Sequence, residues 1–170
     1  MFARKSVGIS KNLVRNVHIE AKLESMGITI PPVPTPKGSY TNMTRIGNVA
    51  FLAGHLPQPI GGDMVCGKVG VDVTPEEANI AARYVGLNII ATLKYNLGDL
   101  DKVKRITKLV GFVNCADGFA AQPSVINGCS DLMFEVFGDK GIHARSAVGT
   151  NALPLNVAVE IEAIVELEDE

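Results

Sequence analysis

Tryptophan is absent from this 170-residue chain, and aromatic residues make up only 5% of it. A core must therefore rest on Val, Ile, Leu and Ala, and few flat rings are on offer for stacking nucleic-acid bases. Cysteines are few and odd in number, Cys66, Cys115 and Cys129, with no CxxC pairing. This excludes a disulfide framework and reads as reduced thiols in a reducing compartment. No run approaches the roughly 18–20 apolar residues of a membrane span, so no spanning helix and no membrane partner is expected. The three histidines, His18, His55 and His143, belong to no cluster with metal-ligand spacing, which argues against metal catalysis. Phosphate loops are missing too: GKVG at 67–70 lacks the GxxxxGK[ST] spacing, and no GxGxxG follows a strand.

Acidic residues are absent from the start of the chain, where the first is Glu20. Residues 1–16 carry Arg4, Lys5, Lys11 and Arg15 among Ser, Val, Ile and Leu, the composition of a mitochondrial transit peptide or of a short solvated arm. Those alternatives leave a mitochondrial or a cytoplasmic location open. No continuous apolar stretch of roughly 7–15 residues follows the basic start, so a secretory signal is not expected. The formal charge is −2, and setting aside the four basic residues of the arm leaves −6 for residues 17–170. Such a domain has no broad positive field to attract nucleic acid. Its length and 46% hydrophobic content suit a single core rather than two.

Residues 31–38, PPVPTPKG, form an extended lead-in, because four prolines exclude helix and inner strand. Tyr40–Ile46 and Val49–Leu56 then flank Gly47-Asn48, a hairpin signal, and 64–69 offers a short strand. Thr74-Pro75-Glu76-Glu77 places an N-cap, a first-turn proline and a capping-box glutamate in order. Ala78, Ala81, Ala82, Val85, Ile89 and Leu93 recur at helical spacing until Gly98, which predicts a helix over 74–97. A strand follows over 105–113, then a helix over 122–137 with Pro123 in its first turn and Gly138 as its stop. The segments 143–150 and 157–167 read as strands, the second with a clear period of two. Two helices for five or six strands imply one mixed sheet with both helices on one face. The other face then lacks a cover, and only partner subunits can bury it.

Arg145 stands out among small residues in HARSAVGT, where a guanidinium is costly unless paired. Its planar fork suits a carboxylate or phosphate; a salt bridge to Glu160 or Glu162 is the structural alternative. Glu160 and Glu162 share one face of the last strand, either as a solvated face or as carboxylates in acid and base roles. His55 and His143 are further acid–base candidates. Cys115, at a strand end, lacks a base or helix N-terminus to activate it and reads as a buried thiol. Ser146 has no nucleophile elbow around it.

Arg145-Ser146-Ala147-Val148, then Leu153-Pro154, then Val159-Glu160-Ile161-Glu162-Ala163-Ile164 together resemble the signature of the RidA/YjgF family, also labelled endoribonuclease L-PSP. Ala53-Gly54-His55-Leu56-Pro57 resembles that family's SGQIP, and the longer middle resembles a divergent subgroup. The resemblance spans roughly residues 38–167. It implies an α+β, chorismate-mutase-like fold, assembled as a homotrimer whose sheets form an internal barrel with sites in inter-subunit clefts. It further implies hydrolysis of reactive 2-imino or enamino acids to 2-keto acids and ammonia, with no cofactor. On that pattern Arg145 grips the substrate carboxylate, Glu160 orients or activates water, Gly54, His55 and Ala147 line the pocket, and Tyr40 of a neighbouring chain closes it. Two departures touch this site: Ala147 stands where the family often has Cys, and Ala53-Gly54-His55 replaces Ser-Gly-Gln. A binding protein that senses a small carboxylate metabolite without turnover is the second reading, and an endoribonuclease the third.

Overall fold

The computed structural model describes residues 18–169, so the basic segment over residues 1–16 lies outside the described residues. A seven-residue helix α1 (Ile19–Ser25) opens the fold, followed by strands β1 (Met43–Ile46) and β2 (Val49–His55). Ile46 pairs with Val49 across the Gly47-Asn48 turn, and Gly47 takes the positive φ of 57° that this tight turn requires. Residues 64–69 form no strand, contrary to expectation, and make only isolated bridges through Cys66 and Val69. The reason is a tight turn: the Lys68 carbonyl accepts from the amides of Val71, Asp72 and Val73, and Gly67 and Gly70 have positive φ.

Helix α2 (Pro75–Leu97) begins with the capping box, as Thr74 accepts from the Glu77 amide and Glu77 accepts from the Thr74 amide. It stops at Gly98, whose φ of 75° is left-handed. Strand β3 (Val103–Asn114), helix α3 (Gln122–Phe137), strand β4 (Ala144–Thr150) and strand β5 (Val159–Leu167) complete the chain. The strand order is β1-β2-β5-β3-β4, with β3 and β4 parallel and the other pairs antiparallel. The sheet is thus mixed, and the last strand lies at its centre.

Alternation along the strands sets one face of the sheet against α2 and α3. Val159, Ile161, Ala163, Val165 and Leu167 of β5 are buried together with Ala50, Leu52, Ile106, Leu109 and Val113. Helix α2 meets β5 and β2, α3 meets β3 and β4, and the two helices pack on each other. Their approach is close because Gly128 faces backbone: a Cβ built there would lie 1.9 Å from the Asn79 carbonyl oxygen. Helix α1, which the sequence reading does not contain, rests against α3 and the turn before β3. Its first amide, that of Ile19, is capped from a distance by Asp101 at 2.9 Å.

The opposite face carries Glu160, Glu162, Ile164 and Glu166 of β5, with Phe51 41% exposed beside them. No element among the described residues covers it.

Candidate functional site

The termini of β2 and β5 bring one group of residues together. Pro34, Tyr40, Asn42, Gly54, His55, Leu56 and Asn88 line a cavity of about 190 Å³ at the end of β2. Tyr40 is half exposed and forms its rim. Asn88, buried in α2, donates to the carbonyls of Leu56 (2.9 Å) and Gln58 (3.0 Å) and so fixes the inner wall. Glu160 reaches over Gly54 from the adjacent strand, and a Cβ at Gly54 would sit 1.9 Å from Glu160 Oε1. A side chain at this position would have to displace the Glu160 carboxylate, which occupies its space.

Burial, and secondarily the like charge of Glu162, hold the Glu160 carboxyl above the usual carboxylate range. A carboxyl whose folded pKa exceeds its unfolded value opposes folding when ionised, and that opposition disappears as pH falls through the folded pKa. Glu160→Gln is therefore expected to melt at a higher temperature than the wild type at pH 8, with the gap closing at pH 4. Thermal melts at the two pH values check this; an equal gap at both would disprove it.

His55 belongs to this wall, yet its imidazole turns inward. It is 2% exposed, with Nδ1 2.6 Å from the Ala53 carbonyl and Nε2 2.7 Å from Thr92 Oγ1 on α2. Both ring nitrogens are used within the chain, so the side chain ties β2 to α2 and is not a free acid–base group. Burial holds its pKa below the ordinary imidazole value. The unfolded chain then takes up the proton first, so this contribution to stability is present at neutral pH and lost below about pH 6.5. A flatter stability profile between pH 7 and 5 is expected for His55→Gln, measured by denaturant melts. An unchanged slope would assign the titration elsewhere.

Arg145 lies far from this cavity, as the second residue of the edge strand β4. Its Cα partner is Leu109, on the helix-facing side of the sheet, and Ala147 follows on that side opposite Gly111. Nη1 donates to Asn127 Oδ1 (2.8 Å) and to Ser130 Oγ (3.0 Å), both on α3. The salt bridge to Glu160 or Glu162 does not form. Glu160 is aligned with Phe112 and Val148, two strands across and three residues along from Arg145. At sheet spacings that places the two Cα atoms roughly 14 Å apart, and an odd offset puts the side chains on opposite faces. Asn127 and Ser130 escaped the sequence reading, although two polar residues three apart beside the apolar stripe of 122–137 were the available signal.

Cys115 and Cys129 are buried and Cys66 is exposed. Burial pushes the Cys129 thiol up to about 12, where no reactive thiolate exists at neutral pH. Glu20, Asp99 and Asp101 lie close enough to hold a cation, but they are engaged as caps: Glu20 accepts from the Leu100 amide, Asp99 from the Asp101 amide and Asp101 from the Ile19 amide.

One mixed sheet backed on one face by two long helices, with an arginine at one edge and a carboxylate-flanked cavity toward the other, defines a chorismate-mutase-like α+β protein. The chain belongs to the family described as "YjgF/chorismate_mutase-like, putative endoribonuclease", whose model matches residues 20–167. It is 38% identical over 159 residues to Protein TCP17 of Trypanosoma cruzi, covering 93% of this chain and 99% of that one. It is 28% identical to a 2-iminobutanoate/2-iminopropanoate deaminase of Dermatophagoides farinae, covering 83% and 95%. Among solved structures, the protein Atu1372 of Agrobacterium tumefaciens, of unknown function, is 43% identical with a TM-score of 0.81, over 88% of this chain and 92% of that one. The fold and the RidA/YjgF membership expected from the sequence are thereby established.

Proposed function

We propose that the protein hydrolyses reactive 2-imino or enamino acids to 2-keto acids and ammonia, as a homotrimer whose sites take one half from each of two chains. The observation that carries this reading is the state of Arg145. Its guanidinium sits on an edge strand, half-buried, with no acidic partner among the described residues and with Nε and Nη2 uncommitted. A half-buried cation without a counterion is a binding group for an anion, and its open fork fits a carboxylate.

Glu160, with its raised pKa, supplies the proton handling. It takes a proton from water as the oxygen attacks C2 and passes it to the imine nitrogen. It then relays the hydroxyl proton of the resulting carbinolamine to that nitrogen as the C–N bond breaks, so that ammonia leaves and the keto acid remains. Imines hydrolyse readily, so positioning plus one proton-transfer group suffices, and the step needs no cofactor. Within one chain the two residues face away from each other, which is why the reading requires two chains. The uncovered sheet face bearing Phe51 and Ile164 gives the apolar surface for such an assembly. The kinship with a 2-iminobutanoate/2-iminopropanoate deaminase supports the same chemistry.

The test generates 2-aminoacrylate in situ and follows release of pyruvate with and without the protein. Acceleration by a protein that sediments as a trimer is the expected result. A trimer that binds pyruvate and gains thermal stability from it, yet accelerates nothing, would instead support a carboxylate-sensing protein. Kinship with the regulator-named protein AldR of Lactococcus lactis, 28% identical, favours that second reading.

A further inference from the structure

Behind Arg145 runs a directed chain of hydrogen bonds. His143, just before β4, has Nδ1 2.7 Å from the Gly141 carbonyl and Nε2 3.0 Å from Ser130 Oγ. A carbonyl oxygen only accepts, so Nδ1 carries the proton and Nε2 of the neutral ring is an acceptor. Burial, and less strongly the charge of Arg145, keep this ring below the ordinary imidazole value and hence neutral at pH 7. Ser130 must then donate its hydroxyl proton to His143 Nε2, which leaves its oxygen lone pairs for the Arg145 Nη1 donor. The second Nη1 proton goes to Asn127.

We propose that Ser130 and His143 are positioning residues for Arg145, which saturate Nη1 and hold the guanidinium so that its Nε–Nη2 edge faces a planar carboxylate. The proposal rests on the reading of Arg145 as the carboxylate grip. Ser130 alone could rotate its hydroxyl away; His143 fixes the direction. An arginine side chain held before the ligand arrives loses less freedom on binding, which is worth up to about tenfold in affinity.

Pyruvate is the probe, titrated calorimetrically into the intact oligomer, alongside turnover of 2-aminoacrylate. Ser130→Ala is expected to raise the pyruvate Kd and the KM about tenfold while kcat stays within about twofold. Ser130→Thr, which keeps the hydroxyl, restores both, and His143→Leu reproduces the loss. Alanine suits a helix interior, so Ser130→Ala keeps its fold. A pyruvate Kd within twofold of wild type for Ser130→Ala, when Arg145→Ala abolishes binding, overturns the proposal. So does a Ser130→Thr variant as weak as Ser130→Ala.

A ligand-free measurement separates this proposal from the function it rests on. The Nη protons of Arg145 should give distinct, slowly exchanging NMR signals in the wild type and averaged signals in Ser130→Ala. If Arg145→Ala leaves pyruvate binding intact, the carboxylate-grip reading fails, and these spectra still decide whether Ser130 holds the guanidinium. Averaged signals already in the wild type refute the positioning role.

Discussion

Arg145→Ala is expected to lower kcat/KM for 2-aminoacrylate by about a thousandfold, close to 4 kcal/mol, within the range for removing one member of a desolvated, hydrogen-bonded charge pair. The loss has two parts. The carboxylate loses its counter-charge, and the substrate loses the pair of parallel bonds that fix its orientation. Arg145→Lys separates them. It keeps the charge but not the fork, and Asn127 and Ser130 lose a donor set at a fixed angle. Only a minor share of the rate should return in the lysine variant. Melting temperatures should change little in either variant, because the guanidinium sits at a sheet edge and pairs with no acid among the described residues. Steady-state kinetics on the two variants, beside thermal melts, check both statements; full activity in the lysine variant would reduce the role of Arg145 to plain electrostatics.

Gly128→Ala is expected to be among the most damaging single methyls in the structure, because Gly128, like Gly141, faces helix backbone. The atom it adds would lie 1.9 Å from the Asn79 carbonyl oxygen and 3.2 Å from the Arg83 amide, both backbone atoms of α2. A side chain in the way can rotate, but a helix backbone cannot. The two helices must separate, and with them goes the fit of Cys129 and Leu132 against Gly86, where there is no room for a Cβ. Overpacking commonly costs about 1–3 kcal/mol, and an immovable neighbour places this case at or above the upper end. In a domain of this size that corresponds to a fall in Tm of roughly 6–12 °C. Differential scanning calorimetry reads it directly, with Gly47→Ala as a contrast in which strain arises from positive φ and no atom lies within 4 Å.

Some of this architecture is written locally in the sequence. The capping box at Thr74–Glu77 and the glycine stops Gly98 and Gly138 bound α2 and α3 as expected, because each signal acts within a few residues. Helix α1 was invisible for the opposite reason: only Ile19 and Leu23 of its seven residues are buried, and its cap comes from Asp101, far along the chain. The expected strand at 64–69 does not form because Gly67 and Gly70 turn the backbone out of the extended region.

Residue types at the candidate site were legible, whereas their mutual placement was not. Arg145 conflicts with its apolar surroundings, and Glu160 follows from the period-two pattern. That they face away from each other depends on strand order and register, which no local pattern encodes. The inward turn of His55 depends on Thr92, whose hydroxyl is buried beside the apolar stripe of α2, where no local pattern marks it.

The position of β5 bears on how the protein is made. It leaves the ribosome after every other strand of this sheet, yet it lies between β2 and β3 and pairs with both. Until it arrives, β3 and β4 can pair and collect α2 and α3, but the β1–β2 hairpin has no strand to join and meets the rest only through α2. Folding therefore cannot proceed strictly from one end to the other, and the nascent chain carries an open slot bordered by two unsatisfied strand edges. An early stop within residues 159–167 would remove the element that joins the two parts of the sheet, so loss of this one strand should be as disruptive as a deletion in the middle of the domain.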